Sequence, residues 1–237
     1  MATQKKVKTP GLTGAFDLFP KSYEAVRRNL QLFLLLFLLP IVGALFNFRT
    51  STTTTKTNSY SSVWSSISGA PTFAVASVVG IGLLITIALL IAFVMIRAML
   101  YALQLEAGRG KTPTLSELWE IGKKYWLRLF GLSIIVGIVV IVGIIAFIVP
   151  GLIFLRRYYL APYVMIDQDV DVFEAMRRSA ALTKPHSRSI WNIIGVTFLL
   201  ELPGVIPFVG SFIAVILTGI YSVAPAIRYD ELKKLAA

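Results

Sequence analysis

The chain has 237 residues, of which only 15% are charged and 56% are apolar, whereas charged residues make up about 25% of an ordinary soluble domain. Its 23 lysines and arginines outnumber 12 acidic residues and give a net charge of +11. The apolar runs leave no room for a soluble nucleic-acid-binding domain, so we expect the basic residues to lie beside a bilayer. The sequence has no cysteine, which excludes disulfides and thiolate chemistry.

Six apolar runs are candidates to cross a bilayer, which takes about 20 apolar residues per helix. The predicted spans cover about residues 29–48, 73–101, 129–149, 151–166, 190–206 and 208–226. They predict an all-α, polytopic membrane helix bundle over residues 29–226, between a basic N-terminal segment (1–28) and a short tail (227–237). The first run lies too far from the start to be a cleaved signal peptide. The last two runs form a hairpin that turns at Pro203, Gly204 and Pro207.

The fourth run is ambiguous because it is short and carries Arg156 and Arg157 in its middle. It either crosses the bilayer as a helix shielded by protein or re-enters from one side. The outside loop contains a stretch at 50–66 that is dense in serine and threonine, and we interpret it as a flexible polar linker. A glycosylated or adhesive loop is the alternative.

The distribution of basic residues predicts the orientation of the bundle. Six spans and a cytoplasmic amino terminus place 1–28, 102–128, 167–189 and 227–237 inside, with 6, 5, 4 and 3 lysines and arginines. These segments hold 18 of the 23 basic residues, as the positive-inside rule expects. Both termini are therefore predicted to be cytoplasmic.

Two amphipathic helices are predicted at the cytoplasmic interface. Thr114 and Glu117 form a capping-box pattern before a helix over 114–129, which either packs on the membrane surface or binds a partner. A second helix follows Asp169 and Asp171, which stand where a helix cap and a macrodipole partner belong. Basic residues on these two helices and in the loop after the second are candidates to contact anionic lipid headgroups. They are Lys123, Lys124, Arg128, Arg177, Arg178 and Arg188.

The sequence shows no catalytic, cofactor-binding or metal-binding constellation. The single histidine, His186, cannot build a triad or a clustered metal site, and we interpret it as a loop residue. Four acidic residues stand close together but lack the glycine and distal glutamate of a calcium loop, so helix capping explains them more simply. These residues are Asp167, Asp169, Asp171 and Glu174.

Four charges fall inside predicted spans, and one of them, Arg97, lies near the end of the second span, where it can reach the interface. Glu201 in the fifth span is predicted at the same depth as Arg156 and Arg157 in the fourth. An unpaired charge at that depth is costly, so we expect an ion pair between Glu201 and one of the arginines. A polar substrate path is the functional alternative.

The segment from Pro150 to Gln168, the run Phe173–Ser179, the run Leu182–Lys184 and Trp191 follow one another in an order that resembles a known family. The family that these segments resemble is the membrane domain of glycerophosphoryl diester phosphodiesterases and related bacterial membrane proteins. The ending Ile227–Leu232 is also similar to the close of that domain. The resemblance implies a six-helix membrane fold and no activity, because the catalytic barrel of the fused enzymes has no counterpart here.

These observations favour a non-enzymatic, multi-pass protein of the bacterial cytoplasmic membrane that acts as a membrane module or accessory factor. The predicted partners are the lipid bilayer, anionic headgroups on the cytoplasmic side, and a protein partner or a second copy of the chain. No nucleic acid and no cofactor are expected. One alternative is a small transporter or permease subunit with a polar path near Arg156, Arg157 and Glu201. Another is an intramembrane enzyme that acts on a lipid headgroup.

Overall fold

A computed structural model describes residues 12–37, 72–206 and 209–236, with the backbone alone at 72–79. Within these ranges the chain is helical and has no strand, which confirms the predicted all-α class. The helices are α1 (Leu18–Arg28), α2 (Thr72–Gly108), α3 (Leu115–Ala146), α4 (Ile148–Tyr158), α5 (Ala161–Gln168), α6 (Val172–Thr183), α7 (Ser187–Glu201), α8 (Val209–Tyr221) and α9 (Ala224–Ala236). Residues 30–37 are also helical, and a 3-10 helix covers Leu202–Val205.

Three stretches are long and apolar enough to cross a membrane. They are Gly80–Gly108, Leu115–Ala146 and Val209–Ala236, the last of which combines α8 and α9. They cover most of the predicted second, third and sixth spans. Residues 38–48 of the predicted first span, and the whole serine- and threonine-rich loop, lie outside the described residues.

The predicted fourth span, 151–166, is not one helix. The chain turns at Phe147, and α4 folds back against the end of α3, where a Cβ on Gly143 would meet the Cα of Gly151 at 2.8 Å. Helix α4 has 11 residues, which corresponds to about 16 Å, whereas the apolar core of a bilayer is about 30 Å thick. Helix α5 then begins separately, with Pro162 in its first turn, where a missing N–H costs nothing. Neither helix is long enough to cross alone.

The predicted interfacial helix at 114–129 is the first part of α3 and runs without a break into the apolar span. Its capping box is confirmed: the backbone N–H of Glu117 donates to Thr114 Oγ1 at 3.3 Å, and the N–H of Thr114 donates to Glu117 Oε2 at 3.0 Å. Leu118 and Tyr125 are buried on one face, while Trp119 is exposed on another. The location of this face in the headgroup region stays a prediction.

The best-packed part of the core surrounds the short helix α5. Leu160, Ala161, Val164 and Met165 are all fully buried, against the carboxyl-terminal half of α2, the first half of α3, α6 and α9. By contrast, α2 exposes large apolar side chains such as Leu84 in its first half. The tightly packed residues are therefore concentrated towards one end of the bundle.

Helices α7 and α8 form the predicted hairpin. The 3-10 helix Leu202–Val205 follows α7, and α8 packs against both of them and against α1. Gly210 approaches the carbonyl oxygen of Pro203 so closely that a Cβ would clash with it, which explains a glycine in the first turn of α8. Pro207 lies outside the described residues.

Candidate functional site

Four segments that the sequence predicts on the same side of the membrane contact one another, and we call this region the polar end. Its described parts are residues 12–28, 102–128, 167–189 and 228–236. Hydrogen bonds join the first segment to the fourth, and the second segment to both the third and the fourth. Asn29, directly after the first segment, donates to the carbonyl oxygen of Lys111 in the second. The grouping agrees with the predicted topology, and the side of the membrane on which it lies stays a prediction.

Arg109, directly after α2, connects three helices at the polar end. Its NH2 donates to Asp167 at 2.6 Å and to Asp230 at 2.9 Å, and its Nε donates to Asp230 at 3.1 Å. Asp167, at the end of α5, also accepts from the Tyr229 hydroxyl at 2.7 Å and from Lys233 Nζ at 2.6 Å. Charge-assisted bonds of this kind are about twice as strong as neutral ones. The cluster therefore fixes α2, α5 and α9 relative to one another.

The cluster shifts the ionisation of its members. Hydrogen bonding to Asp230 is the main cause that raises the pKa of Arg109. Burial on its own would raise the pKa of Asp167, but the hydrogen bonds from Lys233, Tyr229 and Arg109 outweigh burial and lower it. Asp167 is consequently a charged carboxylate at neutral pH and is fully engaged as an acceptor.

Asp169 ties the loop after α5 to α3. Its φ of 47° lies in the left-handed region, which aspartate tolerates better than most residues. It accepts from Lys124 Nζ at 2.7 Å, the Tyr125 hydroxyl at 2.9 Å and Arg128 NH1 at 2.9 Å. The hydrogen bond from Lys124 is the first cause that lowers the pKa of Asp169, to about 2.

The predicted cap of the second amphipathic helix is only partly right. Asp171 is the N-cap of α6, but its side chain makes no capping hydrogen bond. Asp169, expected as a cap or dipole partner, binds α3 instead. Glu174 in the first turn bonds Arg177 and Arg178, with its pKa lowered to about 2 by these two arginines.

The candidate headgroup contacts mostly have partners within the protein. Lys124 and Arg128 pair with Asp169, Arg177 and Arg178 with Glu174, and Lys123 with Glu120. Their side chains remain partly open to solvent, from 44% for Arg178 to 79% for Arg177. Arg188 lies apart from these pairs, at the start of α7. Their contact with lipid stays a prediction.

The structure does not bring Glu201 to the two arginines of α4. In the described parts of the chain, no ion pair includes Glu201, Arg156 or Arg157, and Glu201 is exposed at the end of α7. The carbonyl oxygen of Arg157 instead accepts from Ser179 Oγ at 2.7 Å and from Thr183 Oγ1 at 3.3 Å, both on α6. Arg157 therefore lies beside α6, and its pairing with Glu201 stays a prediction.

Sequence reasoning missed the buried Arg228 of α9. Its side chain is 1% exposed, its NH1 donates to Glu231 at 2.8 Å, and its NH2 donates to the carbonyl oxygen of Thr13. Glu231 also accepts from Thr13 Oγ1. The only signal in the sequence was an arginine placed directly after an apolar run, which the positive-inside rule already explained.

Several cavities accompany these residues, among them one of about 320 Å³ beside Arg178 and Lys233. One of about 790 Å³ lies at the Arg109 cluster and is lined by both acids and bases. One of about 560 Å³ lies between the segment 12–15 and the start of α7. Another, of about 280 Å³, is an apolar groove between the region 23–37 and α8. Within the described residues no cluster of three or more His, Cys, Asp or Glu side chains is placed to hold a metal ion.

Comparison with protein families, with curated proteins and with solved structures finds no match to this chain. The resemblance to the membrane domain of phosphodiesterases therefore rests on its residues alone and stays a prediction.

Proposed function

We propose that the chain is a polytopic membrane protein that acts as a non-enzymatic membrane module or accessory factor through the polar end. In this proposal the polar end faces the cytoplasm and meets anionic lipid headgroups or a protein partner. The proposal joins the predicted topology to the network of charges that connects α2, α3, α5, α6 and α9.

The observation that carries the proposal is the separation of apolar and charged surface. Apolar side chains in the candidate spans are strongly exposed, for example Leu84 at 67% and Ile145 at 79%. Soluble monomers rarely expose a contiguous apolar surface of this kind, whereas lipid tails would cover it. All eleven ion pairs of the described residues lie instead at the polar end.

Single cysteines on the cysteine-free chain test the topology. We expect Ser59→Cys to react with a membrane-impermeant maleimide on intact cells, and Gly110→Cys and Ala236→Cys to react only after the membrane is opened. Reaction of Gly110→Cys from outside, with Ser59→Cys protected, would overturn the orientation and with it the cytoplasmic role of the polar end.

A charge-removal pair tests the role of the polar end in lipid binding. Arg177→Gln removes the most exposed of the paired cations, and it should lower the share of anionic lipid that co-purifies with the protein in mild detergent. Lys56→Gln removes the same charge from the loop predicted on the other side, and it is the matched control. An equal lipid composition in the two variants would contradict a role for this surface in headgroup binding.

A transporter is the second candidate, and one observation favours it. The Nε atoms of Arg156 and Arg157 are buried and have no hydrogen-bond acceptor among the described residues. A water-filled path would supply one. Arg157→Cys should then react with a small water-soluble thiol reagent, whereas Ile153→Cys on the same helix should stay unreactive. Protection of both positions would argue against a path.

A further inference from the structure

The cavity of about 560 Å³ beside the start of α7 differs from its neighbour in charge. Its lining includes Arg188 and Arg228 and no acidic residue, whereas the cavity at the Arg109 cluster includes three carboxylates. A surface pocket lined by two guanidinium groups and no carboxylate attracts anions, and Glu231, which lies outside the lining, offsets the charge of Arg228.

The amino terminus of α7 opens into this cavity. His186 is the N-cap and makes no side-chain capping bond, while its carbonyl oxygen accepts from the N–H groups of Ser189 and Ile190. The preceding amides, of Ser187 and Arg188, have no acceptor within the helix because they belong to its first turn. Such amides, together with the positive end of the helix macrodipole, form a ready site for a phosphate or carboxylate.

A second and independent observation comes from α9. Arg228 forms part of the cavity wall, although its side chain is only 1% exposed. Two of its nitrogens bind Glu231 and Thr13, but its Nε is buried without an acceptor among the described residues. Leaving a buried donor of a charged group unpaired destabilises the structure, so a ligand that supplied an acceptor would be favoured.

The same wall holds further donors without an acceptor in the described part of the chain. Ser189 Oγ is buried and unpaired, and Asn192 lines the cavity one turn further along α7. Residues 1–11, which precede this wall, contain three lysines and no acidic residue, so they do not supply an anion. An anion in this cavity would offer its oxygens to these donors.

We propose that this cavity binds a phosphate group, held by the amino terminus of α7, Ser189, Arg188 and Arg228. Phosphate offers several acceptor oxygens around one centre, which matches convergent N–H and O–H donors better than a halide does. The group comes either from a phospholipid headgroup or from a soluble phosphate compound. The site does not depend on the proposed role of the polar end as a membrane module.

The test measures the thermal unfolding midpoint of the purified full chain in a maltoside detergent. Inorganic phosphate is titrated at constant ionic strength against chloride, and in a second arm phosphatidic acid is compared with diacylglycerol, which lacks the phosphate. A rise with inorganic phosphate identifies a site open to solution. A rise with phosphatidic acid alone identifies a lipid phosphate.

Variants show whether the rise comes from this cavity. Arg188→Gln should weaken binding about tenfold, as expected for the loss of one charge-assisted hydrogen bond. Lys56→Gln removes one positive charge from the predicted outside loop, away from the polar end, and should leave binding unchanged. The double variant Ser189→Ala/Asn192→Ala removes two neutral donors and keeps all charges, so it should also weaken binding. It tests the cavity without any change to the buried Arg228.

The proposal is overturned if neither phosphate nor phosphatidic acid raises the midpoint, or if the double variant and Arg188→Gln retain the full rise. The proposed function is tested separately, by the membrane topology and by the lipid share of Arg177→Gln. Failure of the phosphate site therefore does not overturn the proposed function, and failure of the proposed function does not overturn the phosphate site.

Discussion

The four acidic residues at 167–174 show which structural features can be predicted from single residues and which cannot. Asp171 stands at the N-cap of α6, as predicted, but its side chain makes no capping hydrogen bond. Asp169 and Asp167 instead accept hydrogen bonds from cations as far as 45 and 66 residues away along the chain. Partners at that distance are brought together by helix packing, which local spacing does not encode. The charges and the start of the helix could be read from the sequence, but the hydrogen bonds that connect different helices could not.

Asp167→Asn should destabilise the folded chain in a pH-dependent way. The pKa of Asp167 is lowered in the folded state, so between the folded and unfolded pKa values the folded state binds fewer protons. The stabilisation is present above the unfolded pKa of about 3.9 and is lost as pH falls through the folded value. Thermal unfolding in detergent should show a loss of about 1–2 kcal/mol near neutral pH, which shrinks as the pH falls below the unfolded pKa.

Glu120→Gln is the control for this prediction, because Glu120 is 68% exposed and forms a surface pair with Lys123. Such a pair contributes little to stability, so the variant should unfold like the parent chain at each pH. If Asp167→Asn also unfolded like the parent near neutral pH, the Arg109 cluster would not hold the helices together.

Helices were predicted best where their ends are encoded locally. The capping box of Thr114 and Glu117 gave the start of α3 correctly. The break between α4 and α5 was missed, because the carbonyl oxygen of Arg157 at the end of α4 accepts hydrogen bonds from Ser179 and Thr183 on α6. Hydropathy identifies the apolar run 151–166. It cannot show that side chains of a later helix, α6, donate hydrogen bonds to a backbone carbonyl group in the middle of that run.

Gly151→Ala should separate α4 from α3. A Cβ at this position would meet the backbone nitrogen of Ile144 at 2.7 Å, so one helix has to move. Overpacking of this kind costs about 1–3 kcal/mol, and the thermal midpoint in detergent should fall. Gly137→Ala is the matched control on α3, since a Cβ there meets nothing within 4 Å. An equal midpoint for the two variants would show that the hairpin is not closely packed.

For the whole molecule, composition and charge distribution carried most of the information. They indicated an all-helical chain with long apolar helices, and the structure shows three stretches that are able to cross a membrane. The convergence of 12–28, 102–128, 167–189 and 228–236 at one end agrees with the grouping of basic residues in the sequence. The buried position of Arg228 and the cavity beside it depend on how residues 12–15, α7 and α9 pack, so they appear only in the fold.

Ile138→Arg distinguishes a membrane helix from a soluble one. Ile138 is 56% exposed in the middle of α3, so the substitution removes little packing within the chain. In water an arginine at such a position is harmless, whereas at the centre of a membrane helix it costs about 3 kcal/mol of insertion free energy. We expect the carbonate-resistant membrane fraction of the variant to fall severalfold.

Leu235→Arg, at a position 39% exposed beside Lys234, introduces the same charge at the polar end and should insert normally. A variant Ile138→Arg that is soluble and monodisperse without detergent would show that lipid does not cover this surface.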